Sequence, residues 1–190
     1  MHHRLPFTII LYLLLASMPA SSESSTESDI YFNHLKYEYG NRARTFIGMG
    51  VAAEASKYSE RGSFFQAYYE LEKLNQKIYG HTKEELGVDY QVNWIVRTGL
   101  KMVAYIGWRL LNPQWFVDIV IPYLPKLEEM QSLSDPKHHL FFDYVVAQEE
   151  VQLTASQAVV DGDWQDGADV ILAFLPHASK VLAQLSAPPD

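Results

Sequence analysis

The stretch Val160-Asp161-Gly162-Asp163-Trp164-Gln165-Asp166-Gly167-Ala168 stops one helical pattern and starts another. Gly162 ends a helix at little cost, because a residue without a Cβ adopts backbone conformations that others avoid. Trp164 then heads a second amphipathic run, where it can drop into the crevice between two antiparallel helices. Two other places follow the same plan. Arg61-Gly62-Ser63-Phe64-Phe65-Gln66-Ala67 and Asn112-Pro113-Gln114-Trp115-Phe116-Val117 each close one helical pattern and open the next. The aromatic residues Phe64, Trp115 and Trp164 stand 51 and 49 positions apart, and two of the following helices reach a Leu-Pro step, Leu124-Pro125 and Leu175-Pro176. The spacing predicts three antiparallel helical hairpins stacked side by side.

Outward from these turns, nearly every segment carries a helical rather than an alternating period, and no two alternating runs flank an Asn-Gly type turn. The predicted fold class is all-α, with about six helices near 29–58, 63–79, 83–111, 114–130, 136–160 and 164–186. Gly62, Gly80 and Gly162 end helices, Pro113 follows one, and Ser134-Asp135-Pro136 supplies a cap and a first-turn proline. Gly40, Gly48 and Gly50 are expected to divide the first helix, and Pro122, Pro125 and Pro176 to kink or end theirs.

The turn at 160–168 resembles that of a tetratricopeptide-type hairpin, which reads roughly Gly-Asp-aromatic-x-x-Ala, with Gly167 and Ala168 around the small position. That family's hairpins recur every 34 residues and these near 50, so the resemblance reaches the hairpin and its turn rather than a regular array. It implies an α-solenoid or related bundle that binds proteins. Any αα-hairpin can use such a turn, and that reading stands beside it.

The N-terminus sets a compartment. A basic start with Arg4, an apolar run from Leu5 to Ala16 and a Ser/Glu-rich boundary at Ser21–Ser28 are the parts of a cleavable signal peptide. The apolar run is shorter than the ~20 residues of a membrane-spanning helix. The expected organisation is a signal peptide at 1–22, cut after Ser22 or else Ala20, then a disordered leader at 23–28 and one helical domain at 29–190. Cleavage would remove Arg4 and no acid, leaving a chain more acidic than the formal −8 of the whole sequence. Such a surface repels phosphate backbones and argues against nucleic acid as a partner. With no cysteine there is no lipid anchor, no thiol catalysis and no disulfide. No Asn-x-Ser/Thr site occurs either, and together these features predict a periplasmic or secreted bacterial protein with no stable membrane anchor after cleavage.

Two constellations could carry function. On the helix expected at 83–111, Ile95, Val96, Gly99, Met102, Val103, Ile106 and Leu110 share one face, while Trp94, Arg97, Thr98, Lys101, Tyr105, Trp108 and Arg109 share the other. Trp94, Arg97, Lys101, Tyr105, Trp108 and Arg109 form an aromatic and cationic stripe suited to an acidic partner, because these residue types dominate binding hot spots. The competing expectation is a mid-domain helix packed on both sides, its cations reaching past the rings to water. On the helix at 136–160, His138, His139, Asp143 and Glu150, or Glu149 in its place, could hold a transition metal in a bundle core. Exposed helix residues are the simpler account of the same pattern. No Gly-x-Ser-x-Gly, His-Glu-x-x-His or phosphate-binding glycine loop is present. The expected function is therefore an exported protein that binds another exported protein, as accessory factor, chaperone or toxin-neutralising partner, without a cofactor. A metal-binding bundle and an enzyme with a divergent hydrolytic site are the alternatives.

Overall fold

The computed structural model describes residues 26–187, which form seven α-helices and one 3-10 turn, with no strand among them. The helices are α1 (Glu27–Ser56), α2 (Gly62–Thr82), α3 (Trp94–Gly107), α4 (Pro113–Val120), α5 (Leu124–Ser132), α6 (His139–Asp161) and α7 (Trp164–Leu185), with Pro136–His138 as the 3-10 turn. The all-α class predicted from periodicity holds. The signal peptide expected at 1–22 lies outside the described residues. The leader expected at 23–28 is described only from Thr26, and there it is already the cap and first turn of α1. Asp29 N–H donates to Thr26 Oγ1 at 3.2 Å and Thr26 N–H to Asp29 Oδ2 at 3.1 Å, a reciprocal cap that starts the helix.

Gly80, expected to end a helix, lies inside α2, which runs on to Thr82. Other boundaries also differ from expectation, each for a local reason. Helix α1 runs unbroken past Gly40, Gly48 and Gly50, because Gly40 and Gly50 give way to the rings of Tyr90 and Tyr69 rather than to a turn. The helix expected from 83 begins only at Trp94. Gly87 adopts φ 65°, a left-handed conformation that ends the preceding turn, with Val88 N–H donating back to Lys83 O at 3.0 Å. Asn93 Oδ1 then accepts from Ile95 N–H at 2.7 Å and caps a new helix. The segment expected at 114–130 is split into α4 and α5 by the turn at Ile121–Tyr123, beside Pro122 and Pro125. Pro176, by contrast, sits inside α7 without ending it, on the solvent face where the freed carbonyl meets water.

The long helices pack in the order α1, α2, α7, α6. Helices α4 and α5 lie on α6, and α5 reaches back to α1; α3 lies along the outside of α1. The core is a single cluster that includes Leu35, Leu71, Ile78, Phe141, Phe142, Val145 and Ile171. Helix α7 is long and apolar enough, by length and composition, to cross a membrane. Its Gly167, Ala168, Ile171, Ala178 and Val181 are buried, and it packs on α2 and α6.

The three turns singled out by spacing meet at one end. Arg61, in the first, donates from Nη1 to Trp108 O at 2.9 Å and Leu111 O at 3.1 Å just before the second, and its guanidinium lies 4.6 Å from the Trp164 ring of the third. Phe64 and Phe65 pack on Trp164 with centroids 5.5 and 5.9 Å apart. Phe116, rather than Trp115, supplies the second turn's aromatic packing, 6.2 Å from Tyr68. Gly167 makes this closure possible: a Cβ there would stand 2.3 Å from Val159 Cγ2 and 2.7 Å from Ala155 O. Gly167→Ala is therefore expected to lose ~1–3 kcal/mol by overpacking, despite the better helix propensity of alanine. Urea denaturation of the variant checks this.

Candidate functional site

Two features stand apart from an ordinary helical core: an ionic cluster with no access to solvent, and an apolar face with full access to it. The cluster is centred on Arg42, midway along α1, which is 3% exposed. Its Nη1 donates to Glu72 Oε1 at 2.7 Å and to Gln148 Oε1 at 3.1 Å, and its Nη2 to Glu149 Oε1 at 2.6 Å. Its Nε stands 3.2 Å from Glu38 Oε1, one helical turn back on α1. A shell of polar side chains completes the cluster. Tyr79 donates to Glu38 Oε1 at 2.5 Å and Tyr123 to Glu38 Oε2 at 2.7 Å. Asn75 Nδ2 donates to both Glu72 Oε1 and Gln148 Oε1 at 3.2 Å, and Tyr144 donates to Asn75 Oδ1. Gln148 Nε2 donates to Glu149 Oε1 at 3.0 Å, and Tyr68 donates to Gln152 Oε1 at 2.5 Å.

Burial raises the pKa of Glu72 to about 7 against the opposing pull of Arg42. Burial acts on Glu149 in the same direction, again opposed by Arg42. For Arg42 itself, burial disfavours the charge but the three carboxylates outweigh it, so the guanidinium stays ionised. The phenols of Tyr68, Tyr79, Tyr123 and Tyr144 are all pushed upward by burial and remain neutral donors. The cluster joins α1, α2 and α6 and the turn before α5.

Sequence reading missed this cluster, although a signal was present. Tyr68, Glu72, Asn75 and Tyr79 recur at helical spacing on the stripe that also carries Phe64, Phe65, Leu71 and Ile78, so polar residues occupy core positions. Glu38 and Arg42, four apart, repeat that pattern on α1, and Gln148 and Gln152 on α6.

The residues proposed as metal ligands are not brought together. His138 is buried with Nδ1 3.7 Å from Glu85 Oε2, and Asp143 accepts from Gln131 Nε2 at 2.6 Å. His139 and Glu150 are exposed, while Glu149 belongs to the Arg42 cluster. Among the described residues no group of three or more His, Cys, Asp or Glu is placed to hold a metal ion. Beside the C-terminal ends of α2 and α7 lies an open depression of about 440 Å³, lined by Gln76, Lys77, Gly80, His81, Leu182 and Ser186. Ser186 Oγ is 2.9 Å from His81 Nε2, but the hydroxyl donates to Leu182 O at 2.7 Å, so its proton is held by the backbone.

The stripe on α3 is exposed with one exception. Trp94 is 74% exposed and Tyr105 62%, and Arg97, Lys101 and Arg109 face solvent. Trp108 is 7% exposed and joins the core cluster, with the Arg109 guanidinium 4.4 Å from its ring. Its inclusion in the stripe is corrected: it follows the last turn of α3, where Arg61 ties its carbonyl to the bundle. The expected apolar face is not buried as a whole either. Leu100 is the buried residue of α3, while Ile95, Met102 and Ile106 are exposed, as is Leu110 just after the helix. The helix rests on α1 by a narrow edge and turns both aromatic and aliphatic side chains outward. Comparison with known family models, with curated proteins and with solved structures finds no match to this chain.

Two stability measurements follow from these environments. Arg42→Met leaves three carboxylates around an apolar side chain and is expected to cost ~3–5 kcal/mol, a large part of the stability of a domain this size. Trp108→Ala is expected to cost about 3–5 kcal/mol, whereas Trp94→Ser changes stability by about 0.5 kcal/mol or less. Chemical denaturation of each variant reads the difference directly.

Proposed function

We propose that this is an exported protein that acts by binding another exported protein through the outer face of α3. The observation that carries the reading is the exposure of Trp94, Ile95, Met102, Tyr105 and Ile106 on one helix of a molecule with a well-filled core. Contiguous exposed apolar surface of this kind marks interaction sites. Export rests on the sequence of residues 1–22.

The charge pattern indicates the partner's chemistry. From Tyr90 to Val117 the chain carries Arg97, Lys101 and Arg109 and no acid, within a sequence of net charge −8. A second copy would bring the same cations against each other, and an anionic bilayer would repel the acidic remainder of the molecule. A protein with an apolar patch rimmed by carboxylates meets both features: its aliphatic groups cover the Met102 side and its acids pair with the cations. The tetratricopeptide-like turn is consistent with a binding scaffold, since helical hairpins present such faces without a catalytic centre.

The combined variant Trp94→Ser, Lys101→Glu, with Trp108 kept, is expected to fold as the parent does and to weaken partner binding by at least ~30-fold, about 2 kcal/mol. The test places a photo-crosslinking residue at position 105 in the otherwise unaltered chain and recovers adducts from the native compartment. Support requires an acidic exported protein, captured less at high salt and lost in the double variant. Self-adducts, binding to phosphatidylserine-containing vesicles in place of protein, or capture unchanged by the variant would overturn the reading.

A further inference from the structure

The Arg42 cluster gathers three carboxylates and one guanidinium where no solvent reaches. Ionised throughout, it would carry two uncompensated negative charges, a state that a low-dielectric interior strongly disfavours. The three carboxylates are unequally equipped to hold charge. Glu38 receives Tyr79 and Tyr123, one on each oxygen, and lies beside Arg42 Nε. Glu149 takes both its donors, the short Nη2 bond and the Gln148 amide, on Oε1, but unlike Glu72 it has no fully buried oxygen left without a partner among the described residues. Glu72 takes both its donors, Arg42 Nη1 and Asn75 Nδ2, on Oε1, and its buried Oε2 has no hydrogen-bond partner among the described residues. An anion with a bare oxygen inside a dry core is the costliest of the three.

Among the described residues, no cation besides Arg42 acts on this carboxyl. Helix α1 contributes Tyr37, Tyr39 and Arg44 nearby, and Arg44 Nη1 is directed to Tyr90 at 3.2 Å. Helix α2 contributes Tyr68 and Tyr79, α6 Tyr144, and the turn before α5 Tyr123. From α7, His177 stacks on Tyr144 from the exposed side, 6.4 Å between centroids.

We propose that Glu72 is a proton-binding site: the folded bundle holds a proton on this carboxyl in mildly acidic surroundings and gives it up as the pH rises through neutrality. The proton removes the bare charge at Oε2 while leaving Oε1 free to accept from Arg42 and Asn75. Folding then takes up a proton near neutrality, and the junction of α1, α2 and α6 is tightest in mildly acidic surroundings. Burial raises this carboxyl from an ordinary 4.5 to about 7. Because the folded value is the higher one, the stabilisation is complete below about 4.5, declines as pH rises through the interval, and is lost above about 7.

Unfolding measured from pH 5 to pH 8 tests this. The wild-type unfolding equilibrium constant is expected to rise by a factor of roughly 70 from this site alone. Glu72→Gln keeps an acceptor for Arg42 without the charge, so it is expected to remove that factor and match or exceed the wild type at pH 8. Infrared spectra should show a protonated-carboxyl C=O band at pH 6 that disappears by pH 9 and is missing in Glu72→Gln. Retention of the full pH dependence in the variant, or absence of the band from the wild type, would falsify the proposal. Should the variant fail to fold, carbon-13 NMR titration of glutamate carboxyls in the wild type decides. The Glu72 carboxyl must titrate near neutrality, and an ordinary acidic midpoint for it, or a near-neutral midpoint found on Glu149 alone, overturns the assignment.

Discussion

Arg42 donates to carboxylates on two other helices and abuts a third on its own, and a guanidinium presents its donors in a fixed planar fork. The facing side chains must therefore arrive from defined directions and heights. Sliding α2 or α6 by one residue would rotate Glu72 or Glu149 by about 100° away from the fork and leave buried charges unpaired. A purely apolar interface tolerates such slippage far better, because hydrophobic burial is not directional. The cluster thus fixes the relative register of α1, α2 and α6, while apolar burial supplies most of the driving force. Replacing buried ions with well-packed apolar groups is often neutral or stabilising, so the cluster is better understood as specifying this bundle than as strengthening it.

The aromatic residues make that specification affordable by drying both sides of it. Toward the turns lie Phe64, Phe65, Tyr68 and Trp164; toward the other end lie Tyr39, Tyr79, Phe141 and Phe142. Several of these rings do two jobs, since Tyr68 and Tyr79 pack edge-on against other rings and also donate their hydroxyls into the network. Low local dielectric strengthens every hydrogen bond in the cluster and raises the cost of any group left bare. Glu72 Oε2 bears that cost.

The helices and their turns were legible because they are written in local chemistry: Gly162 before Trp164, Pro113 after Asn112, and apolar residues at helical spacing. The false start at 83 shows the limit of periodicity, which ran through Gly87 and Asn93 although those two residues carry the stop and the cap. The Arg42 cluster was not legible, because its members lie 30 and 107 positions from Arg42 and only packing makes them neighbours. Its polar residues at core spacing were the available trace. For the stripe on α3, residue types were readable but not sides: Trp108 looked like Trp94 on a helical wheel, and only the end of the helix at Gly107 separates them.

These features invert the usual arrangement of a small helical protein. A network of hydrogen-bonded charges is inside, and some of the largest apolar side chains, Trp94, Met102 and Tyr105, are outside. The two inversions meet on α1, which carries Glu38 and Arg42 in the cluster and also packs against α3. Because the cluster fixes the register of α1, it also fixes the platform on which α3 rests, and of α3 itself only Leu100 is buried. A helix so lightly attached gains little from being amphipathic in the free molecule, since most of its apolar surface contributes nothing to folding. Burial of that surface is a gain still available, and it can be realised only by contact with something other than the bundle itself.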